Sequence, residues 1–388
     1  MKKLSTALQK SWWSDKPWVL LLPFSWLFGM ILRVRRWLYQ QSVFKSEKLP
    51  VCTIVIGNLV VGGVGKTPLT IFLATLLAQM GKKPGIVSRG YGGSYRGIVE
   101  VYADGDPLYC GDEAVLLKRR LNCPVFVCKK RVMAGKALLN HYPDCDVIIC
   151  DDGLQHNALK ADIRIAVFDN RGAGNSHLLP AGPLREPVCR LSSVDTIVVN
   201  ASTIPPALCQ FKTPVFQMRL NADDFRSVSN PTQTAPLDSF AHQTVMAVAG
   251  IGNPQRFYDT LSSLQIDYIA KSFEDHHRFT PEDFPKTDKV ILMTEKDSVK
   301  CMTFSQPNWY FLAVSAKLPI LFNIWCAMKT GNLDCLVCPL CKGKLDYNPT
   351  EQTLTCGFDR LIYPIKDGIP IMLASDAIPM DETEPSND

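Results

Sequence analysis

The stretch Val51-Cys-Thr-Ile-Val-Ile56, running into Gly57-Asn-Leu-Val-Val-Gly62-Gly63-Val-Gly65-Lys66-Thr67-Pro68, decides the fold. Its β-branched start reads as a buried strand, its glycines as a loop, and the apolar-periodic residues Leu69 to Met80 as a helix. Strand, glycine loop and helix in that order are expected to make a phosphate cradle; an ordinary glycine turn before a helix is the alternative. The glycines admit backbone N–H groups to phosphate oxygens, and the helix N-terminus adds its positive end. Gly62, Gly63, Gly65 and Pro68 then shape the loop, Lys66 reaches the β- and γ-phosphates of ATP, and the Thr67 hydroxyl is placed for Mg²⁺. The loop departs from the usual spacing at Val60, where glycine normally stands.

Outward from the loop, Val51 to about Val199 alternates short apolar runs such as Pro84-Gly-Ile-Val87 with helical patterns, which predicts a doubly wound parallel sheet. A second α/β region has strand patterns at Thr196 to Asn200, Thr244 to Ala249, Lys289 to Met293 and Trp309 to Val314. It reads as a second lobe joined near Ala201 to Pro206, with substrate expected in the cleft between lobes. The expected fold class is therefore α/β, a P-loop NTPase-type parallel sheet with a second α/β lobe, an N-terminal membrane-interface helix and a small β-rich C-terminal module. The run Val147-Ile-Ile-Cys150 delivers Asp151 and Asp152 at a strand end, where a metal-holding carboxylate belongs; a solvated turn before Gly153 is the alternative.

The chain has 388 residues, 46% of them apolar, enough for two or three domains. A formal charge of +5 with no polybasic arm suits a phosphate-bearing ligand or an anionic membrane surface and argues against a nucleic-acid partner. Ten of the fourteen cysteines are scattered singly through the chain, as expected of free thiols in a reducing compartment. Trp18 to Leu32 is almost wholly apolar and is followed by Arg33, Arg35 and Arg36, with tryptophans at 12, 13, 18, 26 and 37. The run is interrupted by Pro23, Ser25 and Gly29 and falls short of the roughly 20 apolar residues of a spanning helix. A helix dipping into one leaflet is expected; a true span and a helix covering the protein's own core are the alternatives. The expected domains are 1–45 (membrane helix), 46–200 (P-loop lobe), 201–332 (second lobe), 333–374 (cysteine-bearing module) and 375–388 (acidic disordered tail).

Several segments occur together in order: Gly57-Asn with Gly-Lys-Thr-Pro68, Ser88-Arg-Gly-Tyr-Gly92, Gly111-Asp-Glu-Ala114, Asp151-Asp-Gly-Leu-Gln-His156, Leu179-Pro-Ala-Gly-Pro-Leu-Arg-Glu186 and Thr294-Glu-Lys-Asp297. Over residues 10 to 330 the chain thereby resembles the tetraacyldisaccharide 4′-kinases of lipid A biosynthesis. The resemblance implies transfer of the γ-phosphate of ATP to the 4′-hydroxyl of an acylated glucosamine disaccharide phosphate, at the cytoplasmic face of the bacterial inner membrane. It also implies Asp112 as the catalytic base with His276 as its partner, beside Lys66. For Asp112 the plainer reading is a helix N-cap. Arg89, Arg171, His177 and Arg185 are candidate substrate contacts, with solvated loop positions as the plain reading. Thr294-Glu-Lys-Asp297 follows a strand from which Lys and Asp could meet a purine base, or it simply caps a helix.

Near the C-terminus, Cys338-Pro-Leu-Cys341, Cys356 and Tyr363-Pro-Ile-Lys-Asp-Gly-Ile-Pro370 resemble the small zinc-ribbon-like activator subunit of tRNA methyltransferases, over residues 333 to 374. Cys338 and Cys341 make half a Zn²⁺ knuckle, but Cys356 is followed at the matching spacing by Asp359, so the ligand set is mixed. Cys335 is a candidate extra thiolate, and a metal-free packed ribbon is the alternative. Such a module implies a protein partner that the sequence does not name. The rival reading of the whole chain is a membrane-associated P-loop ATPase switch with no small-molecule acceptor. Such switches often carry Lys just before Gly-Gly-x-Gly-Lys-Thr, where this chain has Val61.

Overall fold

The computed structural model describes residues 10–14, 17–285, 287–331, 338–348, 351–366, 369–372 and 377–380. The main strands are β1 (Cys52–Gly57), β2 (Pro84–Ser88), β3 (Val99–Glu100), β4 (Val125–Val127), β5 (Val147–Cys150), β6 (Ile163–Asp169), β7 (Thr196–Asn200), β8 (Val215–Ser227), β9 (Thr244–Ala249), β10 (Asp267–Ser272), β11 (Ile291–Thr294) and β12 (Trp309–Lys317). They form one continuous sheet in the order β10-β9-β11-β12-β8-β7-β6-β1-β5-β2-β4-β3. β1 and β5 are buried along nearly their whole length, as strands covered on both faces must be.

A single long strand carries the sheet from the first lobe into the second. The first half of β8 runs parallel to β7, and its second half runs antiparallel to β12 across a bulge at Asp223. The larger core packs around β1, β5, β6 and β7. The second lobe has a core on each face of its sheet. Val245, Ala247 and Ala249 point to one face and Val248 to the other, the period of two that β-structure imposes.

Five helices bear on function: α1 (Leu22–Gln40), α2 (Lys66–Gln79), α3 (Asp112–Arg120), α4 (Glu295–Cys301) and α5 (Ile320–Lys329). α1 docks through its small residues. The Ser25 hydroxyl donates to the Leu178 carbonyl at 2.7 Å and accepts from the Ala181 N–H at 2.9 Å, and a side chain on Gly29 would meet Leu178. Its large apolar residues point the other way: Phe24, Trp26, Leu27, Ile31, Val34 and Trp37 are all exposed, Trp26 by 71%. The reading of α1 as a cover for the protein's own core is therefore corrected. Among the described residues no helix is long and apolar enough to cross a membrane.

The C-terminal module is antiparallel, with strands Asp346–Asn348, Thr353–Cys356 and Leu361–Lys366 extended by Ile369–Pro370 and Ile378–Pro379. Ile378–Pro379 pair with Leu361 and Ile362, so this part of the tail is a strand and not the disordered segment expected. Residues 375–376 and 381–388, and Cys335, lie outside the described residues.

Candidate active site

The phosphate loop leaves β1 and enters α2. Gly65 caps α2 in the left-handed region (φ 98°), and a side chain there would collide with Asn200, whose amide donates to the Val64 carbonyl at 3.1 Å. Only glycine fits. The departure at Val60 has a structural reason: Val60 is fully buried and bridges Leu184, while the Val61 N–H donates to the Pro183 carbonyl at 2.9 Å. The segment Leu179 to Glu186 thus forms a second wall of the loop, and an apolar residue at 60 anchors it. Buried Asn58 braces the interior, its amide donating to the Val60 carbonyl at 2.7 Å while its side-chain oxygen accepts from Lys66 at 3.3 Å.

Asp151 and Asp152 emerge from β5, which pairs with β1 through Val55 and Cys150, so the sheet register sets them beside the loop. Their environments differ. Asp151 is 1% exposed; one oxygen accepts from Thr70 at 3.1 Å and the other is buried without a hydrogen-bond partner. Burial, with the Glu113 charge, pushes its carboxyl up to about 7. Asp152 lies 3.5 Å from the Lys66 ammonium and 3.2 Å from Arg185. Burial alone would raise its pKa, but Lys66 and Arg185 bring it down to about 2. A buried carboxylate oxygen lacking a partner, beside a helix N-terminus that presents Thr67, fits a divalent cation.

In the same lobe, α3 begins at Asp112, next to the Glu113 whose charge acts on Asp151. Gly111 is the N-cap, so the capping reading of Asp112 is corrected: it is the first helical residue, 5% exposed at the positive end of α3. Its oxygens lie 3.0 and 3.1 Å from His276 Nδ1, with Lys300 at 3.9 Å. Burial would raise the Asp112 pKa, yet His276, Lys296 and Lys300 together hold it below the ordinary carboxylate value. The imidazole is pushed down by burial and by Lys296, but Asp112 and Asp275 together hold it above its ordinary value. His277 turns away to Asp283 at 3.1 Å and stacks on Phe273.

Of the candidate substrate contacts, two are built into the phosphate loop. Arg171 pairs with buried Asp169 at 2.7 Å, donates to the Gly63 carbonyl at 3.3 Å and covers the Trp13 ring; Arg185 joins Asp152 to Asn58. Arg89 is exposed on its loop, and the backbone of His177 is held by Asn175 and Leu184. The purine reading of Thr294 to Asp297 is corrected. Thr294 caps α4, fully buried Asp297 accepts from the Gly250 N–H at 2.8 Å, and Lys296 points at His276. The turn that Asp297 holds presses on the phosphate loop: a side chain on Gly252 would come within 2.7 Å of the Gly63 nitrogen.

Sequence reasoning gave no role to Asn58, Glu113 or Tyr91, whose ring stands 4.8 Å from that of His276, and gave Lys296 only the purine role corrected above. All four lie in motif segments quoted above, which was the available signal.

A second cluster lies in the C-terminal module. Ligand atoms of Cys338, Cys341, Cys356 and Asp359 all fall within 4.8 Å of one another, with Cys341 and Cys356 sulfurs 3.5 Å apart. Tetrahedral zinc with Zn–S near 2.3 Å needs sulfurs about 3.7 Å apart, so the set fits that ion. The Asp359 hydrogen bond pushes the Cys341 thiol up to about 12.

A glycine loop of this build, with lysine, threonine and an aspartate pair at the neighbouring strand end, defines a P-loop nucleotide enzyme. The family model described as LpxK, tetraacyldisaccharide-1-P 4′-kinase, matches residues 17–326, and the Trm112p-like protein model matches residues 333–368. The tetraacyldisaccharide 4′-kinase of Methylobacillus flagellatus is 46% identical over 320 residues, covering 82% of this chain and 93% of that one. That of Nitrosococcus oceani is 44% identical over 328 residues, covering 83% and 94%. The crystal structure of an "apo" form LpxK from Aquifex aeolicus in complex with ATP superposes with a TM-score of 0.67 at 30% identity, covering 78% of this chain and 96% of that one. The chain belongs to the tetraacyldisaccharide 4′-kinase family and carries a Trm112p-like module at its C-terminus.

Proposed function

We propose that this kinase phosphorylates the 4′-hydroxyl of tetraacyldisaccharide 1-phosphate with the γ-phosphate of ATP, using Asp112 as the base. The observation that carries the reading is the buried Asp112 carboxylate, held ionised by His276 at 3.0 Å and by two lysines. The acceptor oxygen bonds to the γ-phosphorus, the bond from that phosphorus to the bridging oxygen breaks, and the hydroxyl proton passes to an Asp112 oxygen. His276 orients the carboxylate. Lys66 neutralises charge on the phosphates, and Asp152 and Asn58 keep its ammonium in line. Thr67, Asp151 and Asp152 would hold Mg²⁺, which when bound offsets phosphate charge. Arg171 and Arg185 stiffen the loop, and Arg89 and His177 are left for the acceptor's own phosphate.

The exposed face of α1, with Arg33 and Arg36 in its second half, lies in the headgroup layer of an anionic membrane on the cytoplasmic side and delivers the lipid acceptor to the cleft. Cys338, Cys341, Cys356 and Asp359 hold Zn²⁺ in a module whose thiol core is shared with α5, and its outer surface takes a protein partner. Incubation with γ-³²P-labelled ATP and the disaccharide 1-phosphate in detergent micelles tests the assignment. Label in the lipid is expected; ATP hydrolysis with no labelled lipid would favour the ATPase-switch reading instead.

A further inference from the structure

We propose that Lys296 is the positioning residue of the Asp112–His276 pair, selecting the imidazole tautomer protonated on Nδ1 and bolting the His276 loop to the first-lobe helix that carries Asp112. The proposal rests on Asp112 as base and deepens that reading. An ammonium group has three N–H donors and no lone pair. Lys296 Nζ meets three acceptors: Glu113 Oε1 at 2.9 Å, Asp275 Oδ1 at 3.2 Å and His276 Nε2 at 3.3 Å. Nε2 can accept only as the bare nitrogen, so the ring proton sits on Nδ1, where Asp112 receives it at 3.0 Å. The other tautomer, and the doubly protonated ring, would turn an N–H toward the ammonium.

The groups facing His276 come from several elements. Asp112 and Glu113 lie on α3, Asp275 beside it in the chain, Lys296 and Lys300 on α4, and the Tyr91 ring against its face. Asp112 and Asp275 favour protonation of the ring, and Lys296 opposes it at contact distance.

The same ammonium spans the lobes, since Glu113 belongs to the first and Asp275 to the second. Its mount is rigid. Thr294 caps α4, Asp297 is buried against Gly250, and Glu295 grips Arg120 at the far end of α3 at 2.7 Å. Thr294-Glu-Lys-Asp297 is thus a fixed bracket that presents Lys296 to the base.

The test compares Lys296→Met, Lys296→Arg and Asp112→Asn in the full chain. Lys296→Met should lower kcat about 10²-fold, the scale of a misplaced catalytic group, while ATP affinity stays near wild type. Its acid limb of kcat/KM should move to higher pH, because the ring has lost the cation opposing protonation, and Lys296→Arg should recover most of kcat. A wild-type kcat or an unmoved pH profile in Lys296→Met overturns the proposal. If Asp112→Asn nevertheless loses activity in that case, the base assignment survives alone; full activity in Asp112→Asn removes both. If Lys296→Met fails to fold by circular dichroism, the ¹⁵N spectrum of the His276 ring in the wild type decides. A bare Nε2 with protonated Nδ1 supports the role of Lys296, and a protonated Nε2 refutes it.

Discussion

His156 closes the Asp151-Asp-Gly-Leu-Gln-His156 segment with a ring nitrogen, Nε2, that is buried and has no hydrogen-bond partner. Burial, and then Arg131, Arg35 and Arg89, push its pKa down from 6.5 to about 4. The unfolded chain binds this proton more tightly than the folded one between those values. Stability therefore rises with pH across that window and is lost as pH falls through it. His156→Gln should flatten the dependence of the urea midpoint on pH between 4 and 6.5; an unchanged slope would contradict the account. At this scale the sequence was most legible where a motif keeps its chemistry local, as in Gly65-Lys-Thr67 and Asp151-Asp152. Lys296 was opaque because its meaning lies in Glu113, 183 residues away. The Asp112 to His276 contact spans 164 residues, and only the family resemblance reached it.

At the scale of elements, α1 sorts its residues by size. Ser25 and Gly29 admit close approach to Leu178, and the bulky face is left uncovered. An exposed apolar face of this extent on one helix marks a surface that meets lipid or protein. Replacing Trp26 and Ile31 together by serine should reduce cosedimentation with anionic phospholipid vesicles at least tenfold, given about 1.5–3 kcal/mol for each large apolar group inserted, while transfer to a detergent-solubilised acceptor persists. Undiminished vesicle binding would contradict the membrane role. The composition of α1 was legible in the sequence, but which face turned outward was not, because Ser25 and Gly29 acquire their role only against Leu178. β8 passed unnoticed because its second half, Asn221-Ala-Asp-Asp-Phe-Arg-Ser227, is polar and partly exposed. What holds it is pairing with β12, a partner some ninety residues on in the chain.

At the scale of the molecule, one sheet runs unbroken under both lobes, and α5 ties the kinase to the C-terminal module. Phe322 and Trp325 of α5 lie in the first-lobe core, while Ile324 and Ala327 pack with Cys338, Cys356 and Tyr363. Metal loss should therefore be felt beyond the module. Chelation of zinc-loaded protein should lower Tm by several degrees, as expected when a ligand that binds only the folded state is withdrawn. Zinc-free preparations with an unchanged Tm would contradict the metal assignment. The sequence placed the module and three of its cysteines. Its docking on α5 was invisible because it depends on which faces of α5 the first-lobe core leaves free.

The central claim, that Asp112 is the base held by His276 and the lysines of α4, is tested most directly by single-turnover transfer of ³²P from ATP to the disaccharide 1-phosphate in Asp112→Asn. The account predicts a transfer rate lower by roughly 10²–10⁴-fold with ATP affinity unchanged. A wild-type rate, or a loss traced wholly to weaker ATP binding, would contradict it.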